Sequence, residues 1–258
     1  MFRHCSKIRG YRLGATDGEI GKVEDFFFDD RTWAIRYLVA DTGYWLSDRL
    51  VLISPHALKQ VDDENSVVSV SLGRQQIESS PPITADQPVS RQYEQEYFKY
   101  YGWPGYWTGP SLWGPGPYPL YFAPLPPPSM INETQPEPAN PHLRSVKELV
   151  GYHIQARDGE IGHVADLVVE DATWAIRYLV VDTRNWLPGK KVLVAPPWIE
   201  NVSWERSMVV ADLPRALIEQ APPYDSEALL TRDYEVSLFK HYSREGYWGA
   251  EAPRRDVA

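Results

Sequence analysis

Short apolar runs broken by turn residues mark most of the chain as β structure. Asp17-Gly18 supplies the positive φ that a tight two-residue hairpin turn needs, between flanks of strand character. Gly21 to Asp29 then runs into Asp30-Arg31-Thr32, a turn opened by Asp, and on into the alternating stretch Trp33 to Ala40. Two hairpins follow from this pattern. Leu50 to Ser54 and Val67 to Leu72 read as further short strands, with one helical turn near His56 to Lys59. Phe26-Phe27-Phe28 is apolar on both faces, and so short and twisted a sheet removes its exposed edges by closing into a small barrel. Pro81-Pro82 then opens an extended strap, and Ser90 stands where an N-cap would start a short helix. Tyr93, Tyr97, Phe98 and Tyr101 form one apolar stripe along that helix.

The same pattern occurs twice. Residues 10–107 align with 151–248 at a constant offset of 141, and 26 of the 46 positions from Gly10 to Pro55 are identical in the second copy. Thr32-Trp33-Ala34-Ile35-Arg36-Tyr37-Leu38-Val39 recurs as Thr173 to Val180, and Gly105-Tyr106-Trp107 as Gly246-Tyr247-Trp248. The second strap is Pro222-Pro223, its helix cap is Thr231, and its stripe is Tyr234, Leu238, Phe239 and Tyr242. The expected organisation is a first copy with its helical tail over 1–101, a linker over 102–142, a second copy with its tail over 143–250, and a disordered end over 251–258. Duplication within one chain further implies an intramolecular pseudo-dimer related by an approximate two-fold axis. The linker holds 12 of the 23 prolines and no Lys or Arg, so Pro124 to Pro128 is expected to act as a semi-rigid spacer.

Composition narrows the function classes. At 258 residues and 43% hydrophobic the chain suits a soluble globular protein, and a net charge of −9 without a basic patch argues against direct nucleic-acid binding. The single cysteine, Cys5, cannot form an internal disulfide, which makes a reducing cytoplasm the expectation. No signal core or membrane-spanning run is visible.

Catalytic chemistry finds little footing. Asp17, Glu19, Asp158 and Glu160 are acidic pairs, but Asp before Gly is what the turn demands, and no His, Ser or Lys recurs beside them in both copies. None of the six histidines is kept at the aligned position; His153 and His163 face each other across one hairpin without an obvious third ligand, so no metal and no cofactor are expected. With a two-residue loop in the second hairpin, Phe28 pairs with Ile35 and Phe26 with Tyr37, facing the interior. Asp25 then lies diagonal to Arg36, and Asp166 to Arg177, predicting one ion pair in each copy. The helical stripes are expected to dock on barrel surface; left open, they would be a partner-binding site.

The paired pattern Asp-Gly-Glu-Ile-Gly, apolar strand, Thr-Trp-Ala-Ile-Arg-Tyr-Leu-Val, over Asp17 to Asp41 and again Asp158 to Asp182, resembles the PRC-barrel family, named after the photosynthetic reaction centre. The resemblance spans roughly residues 7–78 and 148–219. It implies a mainly β fold of two small barrels in tandem, each followed by a Pro-rich strap and a short helix. Family members serve as a module of the reaction centre H subunit and of a ribosome maturation factor; this chain looks more like tandem stand-alone members. The leading expectation is therefore a non-catalytic adaptor that binds protein partners. The alternatives are an accessory role in RNA processing or ribosome assembly, and a small-ligand or enzymatic site between the lobes.

Overall fold

A computed structural model of the chain describes residues 1–43, 45–46, 49–83, 89–119, 142–183 and 190–249. Pro124 to Pro128 and the end at 251–258 lie outside the described residues. The first half contains β1 (Phe2–His4), α1 (Cys5–Ile8), β2 (Arg12–Ala15), β3 (Gly18–Asp29), β4 (Ala34–Asp41), β5 (Val51–Ile53), β6 (Leu58–Asp62), β7 (Val67–Val70), α2 (Arg74–Glu78) and α3 (Arg91–Tyr101). The second contains β8 (Leu143–Ser145), α4 (Val146–Leu149), β9 (His153–Ala156), β10 (Gly159–Glu170), β11 (Ala175–Asp182), β12 (Lys191–Val194), β13 (Ile199–Ser203), β14 (Met208–Ala211), α5 (Arg215–Glu219) and α6 (Arg232–His241). The molecule is mainly β.

Two compact units divide the chain. Unit 1 takes Met1, residues 3–149 and residues 168–177; unit 2 takes Phe2, residues 150–167 and the chain from Tyr178 on. In unit 1 the ladder order is β5-β4-β3-β2-β7-β6, antiparallel except for the parallel pair β2 and β7. A 3₁₀ turn at Pro55–Ala57 joins β5 to β6. In unit 2, β9 pairs antiparallel with β10 and parallel with β14, β14 pairs with β13, and β11 pairs with β12.

Gly21 shows why the first hairpin bends. Its φ is +150°, and a Cβ there would stand 2.0 Å from the Asp41 carbonyl oxygen; Gly162 repeats this against Asp182 at 2.0 Å. Only glycine lets the long strand pass so close to the end of its neighbour.

The second hairpin corrects the expected register. Its loop is wider than two residues: Asp29 pairs with Ala34, and the Trp33 N–H reaches back to the Asp29 carbonyl at 2.8 Å. Phe28 pairs with Ile35, but Phe27 then pairs with Tyr37 and Phe26 with Leu38, because Arg36 is the extra residue of a β-bulge. Both Phe26 and Phe28 are fully buried. The bulge turns Arg36 and Tyr37 together into the protein, where alternation would have sent Arg36 to the outer face.

The described start of the linker, residues 102–119, is packed rather than extended away from the sheet. Trp103, Tyr106 and Trp113 are buried, and Ser111 bridges to Gly114 in a tight turn, so the segment following α3 packs back on unit 1. Burial of large aromatic rings outweighs the extended preference of the prolines between them.

Candidate functional site: a duplicated Tyr–Glu–Arg anchor

Each tail helix is started and stopped by local chemistry. Ser90 Oγ accepts from the Tyr93 N–H at 3.1 Å, and Thr231 Oγ1 from the Tyr234 N–H at 3.3 Å, satisfying N–H groups that have no partner within the helix. Gly102 ends α3 in the left-handed region at φ 70°. Tyr97, Phe98, Leu238, Phe239 and Tyr242 are buried, while Tyr93, Tyr101 and Tyr234 are half-buried. The Tyr97 hydroxyl donates to Leu52 O at 2.9 Å and accepts from the Ser54 N–H at 3.1 Å. Tyr93 and Tyr234 donate to the strap carbonyls of Pro81 and Pro222 at 3.4 and 3.1 Å. Both stripes are therefore covered.

Beneath each stripe sits a carboxylate that the apolar pattern did not reveal. Glu94 is 0% exposed; its Oε1 accepts from Tyr37 at 2.9 Å and Tyr106 at 2.7 Å, and its Oε2 lies 2.9 Å from Arg91. Glu235, also 0% exposed, repeats this with Tyr178 at 2.6 Å, Tyr247 at 2.9 Å and Arg232 at 2.9 Å. The Arg232–Glu235 contact is a close ion pair without an aligned N–H, since Glu235 Oε2 accepts no hydrogen bond. Each arginine also lies 4.4 Å from a tryptophan ring, Arg91 over Trp107 and Arg232 over Trp248. Burial, and secondarily the Glu94 charge, holds the Tyr37 phenol well above its usual range and raises Tyr106 likewise; burial, then the hydrogen bond to Glu235, raises Tyr178. The phenols therefore remain donors near neutrality. A signal was present: Tyr37, Arg91, Glu94 and Tyr106 all recur at the 141 offset. A glutamate inside a helix reads by default as solvent-facing, and this one is not.

The four charged residues expected to pair have other partners. Asp25 accepts from the Ser145 hydroxyl and from the Lys147 N–H at 3.0 Å, and burial raises its pKa. Arg36, 1% exposed, donates to Leu112 O at 2.7 Å and Thr32 Oγ1 at 2.9 Å, and its guanidinium sits 3.8 Å from the Tyr106 ring and 4.9 Å from the Trp113 ring. Desolvation lowers the Arg36 pKa. Because Arg36 is the bulge residue, it leaves the face that carries Asp25. Asp166 accepts from the Leu167 N–H at 2.8 Å, whereas Arg177 pairs with Glu170 at 2.6 Å.

The remaining candidates are structural. Asp17 and Asp158 accept from the Arg74 and Arg215 N–H groups at 2.8 and 2.7 Å, capping the starts of α2 and α5. Glu19 lies 3.9 Å from Arg12, both exposed. His153 faces His163 across the ladder and contacts Glu160 at 2.8 Å, yet no group of three metal-ligating side chains forms among the described residues. His56 is buried, stacked on Trp103 with ring centroids 5.4 Å apart, its Nδ1 3.2 Å from Ser54 Oγ; burial lowers its pKa to about 4.

A family model for the PRC-barrel domain matches residues 2–76 and 141–218. The chain belongs to the PRC-barrel domain family. None of the curated proteins compared with it matches at a significant level. Both matched regions end before the tail helices, so the Glu94 and Glu235 anchors join each matched PRC segment to a helix outside it. Among the described residues no helix is long and apolar enough to cross a membrane.

Proposed function

We propose that this tandem PRC-barrel chain is a non-catalytic adaptor that binds protein partners. The observation carrying the reading is that the duplicated polar cluster is directed inward: in each copy one carboxylate is held by two phenols and a guanidinium of the same copy. Groups so placed fix a helix to a sheet and present no base or acid to a substrate. The other acidic candidates, Asp17 and Asp158, likewise cap helices. Affinity capture of the full chain from its native source, followed by mass spectrometry, tests the reading. The expected result is stoichiometric protein retained through a wash at physiological salt. Retention of nothing, combined with a rise in melting temperature on adding a small molecule, would replace the adaptor by a ligand-binding role.

A further inference from the structure

We propose that the first copy of the repeat is an incomplete folding unit, closed by β8 and the β10–β11 tip of the second copy, and that a second copy on a separate chain can close it in the same way. Unit 1 contains residues 142–149 and 168–177, which lie in the second matched PRC-barrel segment. The reason lies in strand lengths. β3 runs for 12 residues, but β2 pairs only with Gly18 to Lys22, which leaves the far end of β3 without β2 along its edge. β8 takes that place: Phe27 pairs with Ser145, Phe28 with Arg144 and Asp29 with Leu143. The Asp30 N–H continues the ladder to His142 O at 2.9 Å, and Asp25 accepts from the Lys147 N–H, fixing the first turn of α4. An edge holding the buried Phe28 and Asp29 is thereby covered by the other copy.

The contacts within unit 1 are also reciprocal. Asp171 N–H to Met1 O at 3.0 Å repeats Asp30 N–H to His142 O with the copies exchanged, and the Arg3–Asp171 pair at 3.0 Å repeats Arg144–Asp30 at 3.4 Å. At the hairpin tips Ala34 pairs with Ala175, Ile35 N–H donates to Trp174 O at 2.8 Å, and Ile176 N–H to Trp33 O at 2.7 Å. A contact set in which each copy gives what it receives is the signature of an isologous interface, which is met equally well on one chain or on two. This closure holds whether or not the chain has an outside partner.

The test uses the full chain with a protease site inserted between residues 130 and 131. After cleavage of the folded protein, the fragments are expected to co-elute in gel filtration at the uncut volume, and to regenerate that particle when refolded together from denaturant. Separate peaks, or aggregation on cutting, would overturn the proposal. In the alternation of an antiparallel ladder Arg144 occupies a bonded position, two residues along from the Asp30–His142 bond, so Arg144→Pro removes a ladder N–H. Cut Arg144→Pro protein should resolve into two peaks while cut Arg144→Lys still co-elutes. Unchanged co-elution of the proline variant would show that β8 is not the closing element. If the proline variant does not fold before cutting, Asp30→Arg reads the same contact: co-elution should be lost, and regained on adding Arg144→Asp. Failure to regain it counts against the proposal.

Discussion

Arg36 and Arg177 occupy the same position of the same eight-residue motif, yet one is sealed and the other is not. Arg36 is 1% exposed, capped by the Leu112 carbonyl and held between the Tyr106 and Trp113 rings. Arg177 is half-buried and pairs with Glu170. The carboxylate differs by one methylene: Asp29, the counterpart of Glu170, instead accepts from the Arg31 and Thr32 N–H groups of its own turn. The anchors show the same gradient, because the Arg91 side chain is 12% exposed and that of Arg232 50%, over equally buried carboxylates. Identical motifs thus carry different energetic weight, set by the segment packed over them. In the first copy that segment is the Trp103 to Trp113 stretch after α3.

The contrast can be broken first at the anchors. Arg91→Met leaves a desolvated Glu94 without a buried, ring-packed cation and should cost about 4 kcal/mol; Arg232→Met strands an equally buried Glu235 but removes a wetter, more screened cation, for about 2 kcal/mol. Chemical denaturation of both variants decides it, and equal losses would contradict the difference in sealing. Next comes the bulge residue. Arg36→Ala opens a cavity and strips hydrogen bonds from Leu112 O and Thr32, for an expected loss of about 3 kcal/mol, while Arg177→Ala should lose about 1 kcal/mol. A larger effect at Arg177 would show that the linker segment does not supply the seal.

His56 has no counterpart in the second copy, which carries Pro197 there. Its pKa falls from 6.5 unfolded to about 4 folded, so the unfolded chain binds the proton more readily between those values and stability drops as pH falls through that window. From pH 7.5 to pH 5 the loss should be about 2 kcal/mol, and His56→Phe should flatten that part of the profile. An unchanged slope in the variant would assign the acid sensitivity to other groups. The smallest effect concerns Tyr97, whose counterpart is Leu238. Tyr97→Leu leaves Leu52 O and the Ser54 N–H without the hydroxyl between them and should cost about 1 to 2 kcal/mol, with slowed amide exchange at Ser54 replaced by fast exchange. Continued protection there would mean that another group takes over.

What could be read from the residues alone was local. The Asp-Gly turns, the caps at Ser90 and Thr231, and the stripes at helical spacing depend on neighbours a few positions away, and the 141-residue offset turns each into two observations. The Asp25–Arg36 pair failed because an extra residue in β4 shifts the pairing of Phe27, Phe26 and Asp25 until Glu24, an extra residue in β3, restores it, and no composition rule marks Arg36 as the bulge. Glu94 escaped notice because its partner Tyr37 lies 57 residues earlier in the chain. The covering of β3 by β8 joins residues more than 110 positions apart, and only the folded chain brings them to one edge. Periodicity reports which face of an element is apolar. Which segment covers that face is decided by competition among all the edges and aromatic surfaces the chain exposes as it folds, and that competition is settled only in three dimensions.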